Sequence, residues 1–214
     1  FVQNVIVDGL GAHDLVVGYD FRFGNKRDGD AGFLAKEADA SQYALHVVEA
    51  IMSADAEVFS STHIRELLIA GKPGHAAAML GRPFEIEGRV QHGDERGRQL
   101  GFPTANMDMD GYLHPAFGVY AIRAGLENDA GAYEWFDGVA NFGNRPTVDG
   151  TRTLLESHLF DFEGDLYGKI LRIALIEFLR PELKFDGLDM LKAQIATDSA
   201  SARRMLRVRA AGAP

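Results

Sequence analysis

The second half of the chain begins with a segment in which apolar and polar side chains alternate. Over positions 84–91, Phe, Ile, Gly and Val alternate with Glu, Arg and Gln, which is typical of a β-strand with one buried face. Further strand candidates follow at 118–124, 135–141, 153–160 and 169–179. Turns rich in Gly, Asn, Asp and Pro separate them. Five or six such strands within roughly 95 residues predict a small closed barrel.

A helical pattern follows the last predicted strand. Apolar residues recur at helical spacing from Leu188 to Met205, and this spacing predicts a long helix that ends the fold. The same pattern places Asp198 and Arg203 on the surface of this helix.

The first 81 residues show a different order of elements. Positions 14–18 and 44–48 are apolar runs that predict strands, and the pattern at 33–45 predicts a helix between them. Strand, helix and strand in this order predict part of a parallel α/β unit. Hydroxyl residues at 60–62 mark the start of a further helix, which Gly71 ends, and Pro73 begins the next. We place the boundary between two domains, 1–81 and 82–214, after the turn at Gly81.

The composition narrows the possible functions. The chain has 214 residues, of which 46% are hydrophobic and 25% charged, as in an ordinary globular protein. Its net charge of −9 argues against non-specific binding to nucleic acid or to an anionic membrane, and leaves a local basic pocket for phosphates open. It has no cysteine, which excludes disulfides, zinc–thiolate sites and cysteine nucleophiles. No apolar run is long enough to span a membrane. The first residues do not have the pattern of a signal peptide. Because the sequence begins at Phe1 and not at Met, we interpret it as a fragment or as a sequence whose true start is missing.

The richest candidate site is the segment 93–106. Gly93, Gly97 and Gly101 let a loop bring its backbone N–H groups close to an anion, and Arg98 adds positive charge. Thr104 and Asn106 follow, and their oxygens are hard ligands that suit Mg²⁺ carrying nucleotide phosphates. Composition alone leaves an ordinary polar hairpin loop equally open.

A single carboxylate on a predicted strand is the second candidate. Within 153–160, Glu156 shares one strand face with Leu154, His158 and Phe160. A carboxylate between apolar neighbours can act as a general base. The alternative is a surface glutamate on an edge strand, and the sequence of this segment alone favours it.

Taken together, these segments resemble the riboflavin kinase module. The motifs that carry the resemblance occur in the family's order over residues 82–208: G-F-P-T-A-N at 101–106, G-V-Y at 118–120, N-F-G-N-R-P-T at 141–147, L-E-S-H-L-F-D-F at 155–162, D-L-Y-G at 165–168 and L-R-P-E-L-K-F at 179–185. The resemblance implies a six-stranded Greek-key barrel with a C-terminal helix that binds ATP and riboflavin. It assigns Thr104 and Asn106 to Mg²⁺ and the ATP phosphates, and Glu156 as the base that accepts the proton of the ribityl hydroxyl. Under this resemblance the glycine loop 93–101 covers the nucleotide.

Upstream segments resemble the adenylyltransferase module of the bacterial bifunctional riboflavin kinase/FAD synthetase. They are V-V-G-Y-D-F-R-F-G at 16–24, which contains Asp20 and Phe23, and S-S-T-H-I-R at 60–65, which contains Ser61, Thr62 and Arg65. The family's histidine-bearing phosphate loop of HxGH type is absent, and the family often has Asn at the position of Asp20. We therefore expect only the C-terminal half of a Rossmann-like nucleotidyltransferase here.

The resemblance implies a cytoplasmic riboflavin kinase that makes FMN from riboflavin and ATP with Mg²⁺. The intact parent protein would also adenylylate FMN to FAD. Three alternatives stay open: a kinase with a natively degenerate adenylyltransferase domain, a non-catalytic flavin-binding barrel, and a nucleotide-binding adaptor. The oligomeric state does not follow from the sequence.

Overall fold

The computed structural model describes residues 1–41, 43–52, 58–93, 97, 101–128, 130–147 and 150–211. The chain divides into two compact units, Phe1–Phe59 and Ser60–Pro214. Within the described residues, no helix combines the length and the apolar character needed to cross a membrane.

The first unit is a small α/β fragment. A π-helical segment (Val2–Val7) precedes strand β1 (Asp14–Gly18), and helix α1 (Ala31–Ser41) leads to strand β4 (Ala44–Val48). The two strands pair in parallel, which confirms the predicted parallel α/β unit. Between them lie the short strands β2 (Arg22–Phe23) and β3 (Gly29–Asp30) and a 3₁₀ turn (Asn25–Arg27). The core of the unit is formed by Val2, Val17, Leu34 and Tyr43.

The predicted helix at 33–45 is shorter and begins earlier than expected. It ends at Ser41 because the chain must already be extended at Ala44, where β4 pairs with β1. The overlapping apolar residues 44 and 45 therefore belong to the strand.

Two helices open the second unit. In α2 (Ser61–Ile69), the Ser60 hydroxyl accepts a hydrogen bond from the backbone N–H of His63 (3.1 Å), so the expected cap is confirmed. Helix α3 (Pro73–Leu80) begins at Pro73. The next residue after its end, Gly81, has a left-handed backbone conformation. Leu68 and Ala76 are buried. These helices belong to the same compact unit as the barrel, whereas our domain boundary follows Gly81. The boundary between the two functional domains after Gly81 therefore stays a prediction.

The barrel is a six-stranded antiparallel sheet. Its strands are β5 (Phe84–Arg89), β6 (Ala105–Asp108), β7 (Gly118–Glu127), β8 (Tyr133–Thr147), β9 (Gly150–Leu159) and β10 (Ile170–Arg180). Their order across the sheet is β5-β10-β7-β8-β9-β6. Strands β7, β8 and β9 follow one another as neighbours and β6 lies beside β9, which is a Greek-key arrangement. Beyond β5, the N–H of Gln91 donates to the carbonyl of Asn106 (2.8 Å) and joins the two sheet edges. The predicted fold class is confirmed.

Two apolar layers stabilise the barrel. Residues such as Met107, Tyr120, Phe142 and Leu155 fill its interior. On the outside, helix α4 (Leu188–Ala211) buries Ala202 and Leu206 against β7, β8 and β10. Side chains that alternate with the interior residues therefore point to the outer face, and the part of that face outside the helix is free to carry polar groups.

Candidate active site on the outer barrel face

Three polar residues form one row across neighbouring strands. Glu156 on β9 lies directly opposite Asn106 on β6 and, on its other side, opposite Asn141 on β8. The residues that alternate with them, such as Met107 and Leu155, fill the interior, so all three polar side chains point outward. Directly opposed residues have Cβ atoms about 4.5–5.5 Å apart. The row therefore brings a carboxylate between two carboxamides.

Arg145 fixes the orientation of the Glu156 carboxylate. The Arg145 Nε donates to Oε1 (3.0 Å) and Nη2 donates to Oε2 (2.7 Å). The Glu156 side chain is 25% exposed, and each carboxylate oxygen has a second lone pair. Glu156 is thus held in one orientation and can still accept a proton or hydrogen bond from a bound molecule.

Asn141 makes a second contact that the sequence did not indicate. Its Nδ2 donates to Oε1 of Glu182 (3.2 Å), a residue of the L-R-P-E-L-K-F segment. A side chain at Gly143 would clash with the same Glu182 carboxylate. Glu182 therefore lies over Gly143, beside the Glu156 row.

The glycines of the 93–101 segment lie against the two predicted metal-binding side chains. A Cβ at Gly93 would clash with the Asn106 carboxamide, and a Cβ at Gly97 would lie 3.2 Å from Oγ1 of Thr104. The structure thus brings four of the predicted site residues together. Gly101 has a φ of +85°, so a left-handed backbone turn requires glycine there. Arg98 lies outside the described residues.

Thr104 and Asn106 fit a magnesium ion that takes its remaining ligands from a nucleotide. Among the described residues, no group of three or more His, Asp or Glu side chains could hold a metal ion. Two neutral oxygens on one side of an extended segment suit Mg²⁺, which usually keeps phosphate and water ligands. Asn106 is only 8% exposed, and the close approach of Gly93 leaves its carboxamide little freedom.

An ion pair joins the C-terminal end of β6 to β9. Arg152 on β9 donates through Nε to Oδ2 of Asp108 (2.7 Å). Burial by itself would raise the pKa of Asp108, but the backbone N–H of Asp110 and the Arg152 guanidinium outweigh it and hold this pKa below its usual value. Asp108 therefore stays ionised and keeps β6 against β9.

The residues assigned by resemblance to the adenylyltransferase fall in both units. Asp20 and Phe23 are in the first, where the Phe23 ring stacks on Phe21 (centroids 5.7 Å apart). Ser61, Thr62 and Arg65 are in the first turns of α2, and Arg65 donates to the Ser61 hydroxyl (3.0 Å). A helix N-terminus suits phosphate oxygens, so the placement of Ser61 and Thr62 agrees with the expected helix start.

Comparison with models of protein families identifies the family to which the barrel belongs. The family model for riboflavin kinase matches residues 80–206, which is more than half of the chain. This chain belongs to the riboflavin kinase family. A second model, FAD synthetase, matches residues 1–63. The predicted combination of a kinase module with part of an FAD synthetase module is confirmed.

The bacterial relatives are named for both activities. The bifunctional riboflavin kinase/FMN adenylyltransferase of Escherichia coli (strain K12) is 42% identical over 205 residues, which is 95% of this chain and 63% of that protein. The protein of the same name from Haemophilus influenzae is 40% identical over 205 residues, with 95% and 64% covered. The chain therefore spans less than two thirds of the length of these relatives.

The fold also occurs in a solved structure. A crystal structure described as a macrolide-efflux protein from Streptococcus pneumoniae superposes with a TM-score of 0.77 at 29% identity. The match covers 94% of this chain and 64% of that one. The likeness supports the two-unit architecture, while the efflux description applies to that protein.

Proposed function

We propose that this chain catalyses the ATP-dependent phosphorylation of riboflavin to FMN. The observation that carries the proposal is the direct opposition of Glu156 and Asn106 on neighbouring strands. It provides a carboxylate for the acceptor hydroxyl beside an oxygen ligand for the nucleotide's metal ion. Membership of the riboflavin kinase family, whose substrates are ATP and riboflavin, supports the same assignment.

Thr104 and Asn106 hold the metal–nucleotide side of the site. Bound Mg²⁺ would neutralise charge on the ATP phosphates during transfer. The Thr104 hydroxyl and the Asn106 carbonyl oxygen supply protein ligands, and we assign the described glycines Gly93, Gly97 and Gly101 to the side of the site that binds the phosphates. Absence of side chains at Gly93 and Gly97 lets the backbone approach both ligands closely.

Glu156 acts on the riboflavin side. Its carboxylate accepts the proton of the terminal ribityl hydroxyl as that oxygen forms a bond to the γ-phosphorus, while the bond from this phosphorus to ADP breaks. Phosphoryl transfer depends mostly on positioning and charge stabilisation. The two hydrogen bonds from Arg145 therefore matter because they hold the carboxylate in one direction.

We further propose that residues 82–214 form the kinase domain and residues 1–81 part of an FMN adenylyltransferase domain. In a longer protein, Asp20, Phe23, Ser61, Thr62 and Arg65 would serve the conversion of FMN and ATP to FAD and pyrophosphate. The matched relatives are longer than this chain. The HxGH-type loop that would stabilise charge on the α-phosphate is absent from these 214 residues.

Product chromatography tests the proposal directly. The 214-residue chain is incubated with riboflavin, ATP and Mg²⁺, and in parallel without the metal ion or with FMN in place of riboflavin. We expect FMN and ADP in equal amounts, no turnover without metal and no FAD from FMN. Flavin binding without ADP release would instead identify a non-catalytic flavin-binding barrel. FAD formation would show that the HxGH-type loop is dispensable.

A further inference from the structure

The imidazole of His158 joins strand β9 to the segment that precedes β6. Its Nδ1 lies 2.9 Å from the carbonyl oxygen of Pro103. Because a carbonyl oxygen only accepts hydrogen bonds, Nδ1 carries the hydrogen and donates it. The rings of Phe102 and Phe160 meet the imidazole edge-to-face, with centroids 5.5 and 5.8 Å away. Packing and the hydrogen bond together define where this ring lies.

The hydrogen bond holds a part of the chain that the sheet does not. Strand β6 begins at Ala105, opposite Ser157, so the ladder fixes Asn106 relative to Glu156. Thr104 lies just before this ladder. Pro103, the acceptor of the His158 hydrogen bond, immediately precedes Thr104, and proline is restricted in φ.

The same segment supports the glycine loop. The backbone N–H of Phe102 donates to the carbonyl of Gly97 (2.8 Å), and Gly97 lies against the Thr104 hydroxyl. A shift of Phe102 and Pro103 would therefore move both Thr104 and Gly97. His158, which follows Glu156 on the same strand face, opposes this shift.

We propose that His158 is a positioning residue that sets Thr104, and with it the metal–nucleotide side of the site, at a fixed distance from the Glu156 strand. The inference rests on the proposed function for the roles of Thr104 and Glu156, and it concerns a residue to which that function assigns nothing. A displacement of about 1 Å can lower catalysis by as much as ~100-fold. Loss of the hydrogen bond should weaken nucleotide binding and leave riboflavin binding intact.

Three variants of the 214-residue chain separate the hydrogen bond from general packing. His158→Leu removes the donor. His158→Asn retains an N–H donor at the position of Nδ1. His46→Leu is the control, because His46 is also hydrogen-bonded through its imidazole, to Asp14 in the first unit (2.9 Å), and has no part in the proposed kinase site. MgADP affinity is measured by titration calorimetry, KM for ATP and for riboflavin by steady-state kinetics, and Tm by thermal unfolding.

We expect His158→Leu to weaken MgADP binding and to raise KM for ATP by about tenfold. KM for riboflavin should change less than about twofold, because the Glu156 row is unaltered. His158→Asn should stay within about threefold of the unchanged chain, since its hydrogen bond persists. His46→Leu should bind and react as the unchanged chain does.

Several results would overturn the proposal. Equal MgADP affinity in His158→Leu would show that the hydrogen bond positions nothing. A folded His158→Asn that is as impaired as His158→Leu would do the same. Equal loss of nucleotide and riboflavin binding, in proportion to a fall in Tm, would make His158 a residue of general stability. If the unchanged chain binds MgADP but forms no FMN, the proposed function fails while the binding series still decides the role of His158. If it does not bind MgADP, the proposal fails as well.

Discussion

The side chain of Arg145 on β8 binds Glu156 on β9, although the two residues are not directly opposite each other. The residue of β8 that lies opposite Glu156 is Asn141. In the strand register, Arg145 is opposite Arg152, yet its guanidinium makes two hydrogen bonds to the Glu156 carboxylate. A planar guanidinium that binds both oxygens fixes the plane of the carboxylate as well as its distance. Glu156 is therefore a preorganised acceptor, which is what a base in phosphoryl transfer requires.

Replacement of Glu156 tests the role of this carboxylate. Glu156→Gln keeps the shape of the side chain and removes its capacity to take a proton. Loss of general-base assistance costs about 10²- to 10⁴-fold in rate, so kcat should fall by that factor. The affinity for riboflavin should stay within a few fold, as measured by flavin fluorescence.

The matched control for this variant is Glu177→Gln. Glu177 lies on β10 and also pairs with an arginine, Arg209 (2.7 Å), so the control loses a similar ion pair. It should leave kcat unchanged. Turnover of Glu156→Gln at the rate of the control would remove Glu156 from the role of base.

Thr104 should affect the metal requirement. Thr104→Val replaces the hydroxyl by a methyl group at nearly constant volume. Mg²⁺ requires near-ideal octahedral geometry, so ATP binding in the presence of Mg²⁺ should weaken and half-maximal activity should need more metal. Thr197→Val, which loses a hydroxyl bonded to the helix carbonyl of Ala193, is the control. Identical Mg²⁺ titrations of the two variants would argue that Thr104 is not a ligand.

A substitution at Gly93 tests whether nucleotide binding depends on its close approach to Asn106. In Gly93→Ala, the added Cβ would clash with the Asn106 carboxamide. We expect weaker MgADP binding by calorimetry, together with a lower Tm, because the Asn106 carboxamide is buried and has little room to move away from the added Cβ. Gly187→Ala is the control, since a Cβ there meets no atom within 4 Å. Unaltered MgADP affinity in Gly93→Ala would mean that the loop does not depend on this contact.

The sequence indicated the long strands but not all of the site. Alternation identified β5, and apolar segments separated by turn residues identified β7, β8, β9 and β10; β7 and β10 do not alternate regularly because the interior buries one of their faces and α4 covers part of the other. Strand β6 was not distinguished from its loop, since it has only four residues (Ala105–Asp108) and two of them are polar. The Arg145–Glu156 pair was not foreseen either. It depends on the register between β8 and β9, which alternation does not define.

The position of Asp198 in the terminal helix differs from the prediction, and the difference affects the stability of the second unit. Asp198 was expected on the surface but is buried, and its side chain is 8% exposed. It accepts hydrogen bonds from Arg180 at the end of β10 through Nη2 (2.7 Å) and from Gln194 (2.9 Å). Ala202, one helical turn later, is fully buried against the barrel. Because residues at i and i+4 share a helix face, Asp198 faces the sheet as well.

Asp198→Asn should therefore destabilise the second unit strongly. The substitution leaves the Arg180 guanidinium, whose side chain is only 18% exposed, without its opposite charge, and removing one partner of a buried ion pair costs about 3–5 kcal/mol. Retention of one amide oxygen as an acceptor places the expected loss near the lower end, about 3 kcal/mol. Urea unfolding followed by circular dichroism measures this loss as a lower midpoint with an unchanged slope.

The comparison variant is Asp161→Asn. Asp161 pairs with Arg203 of α4 (2.7 Å), but its side chain is 77% exposed. Solvent screens such a pair, so this variant should unfold at nearly the midpoint of the unchanged chain. Equal midpoints for the two variants would show that burial of Asp198 does not strengthen its pairing with Arg180.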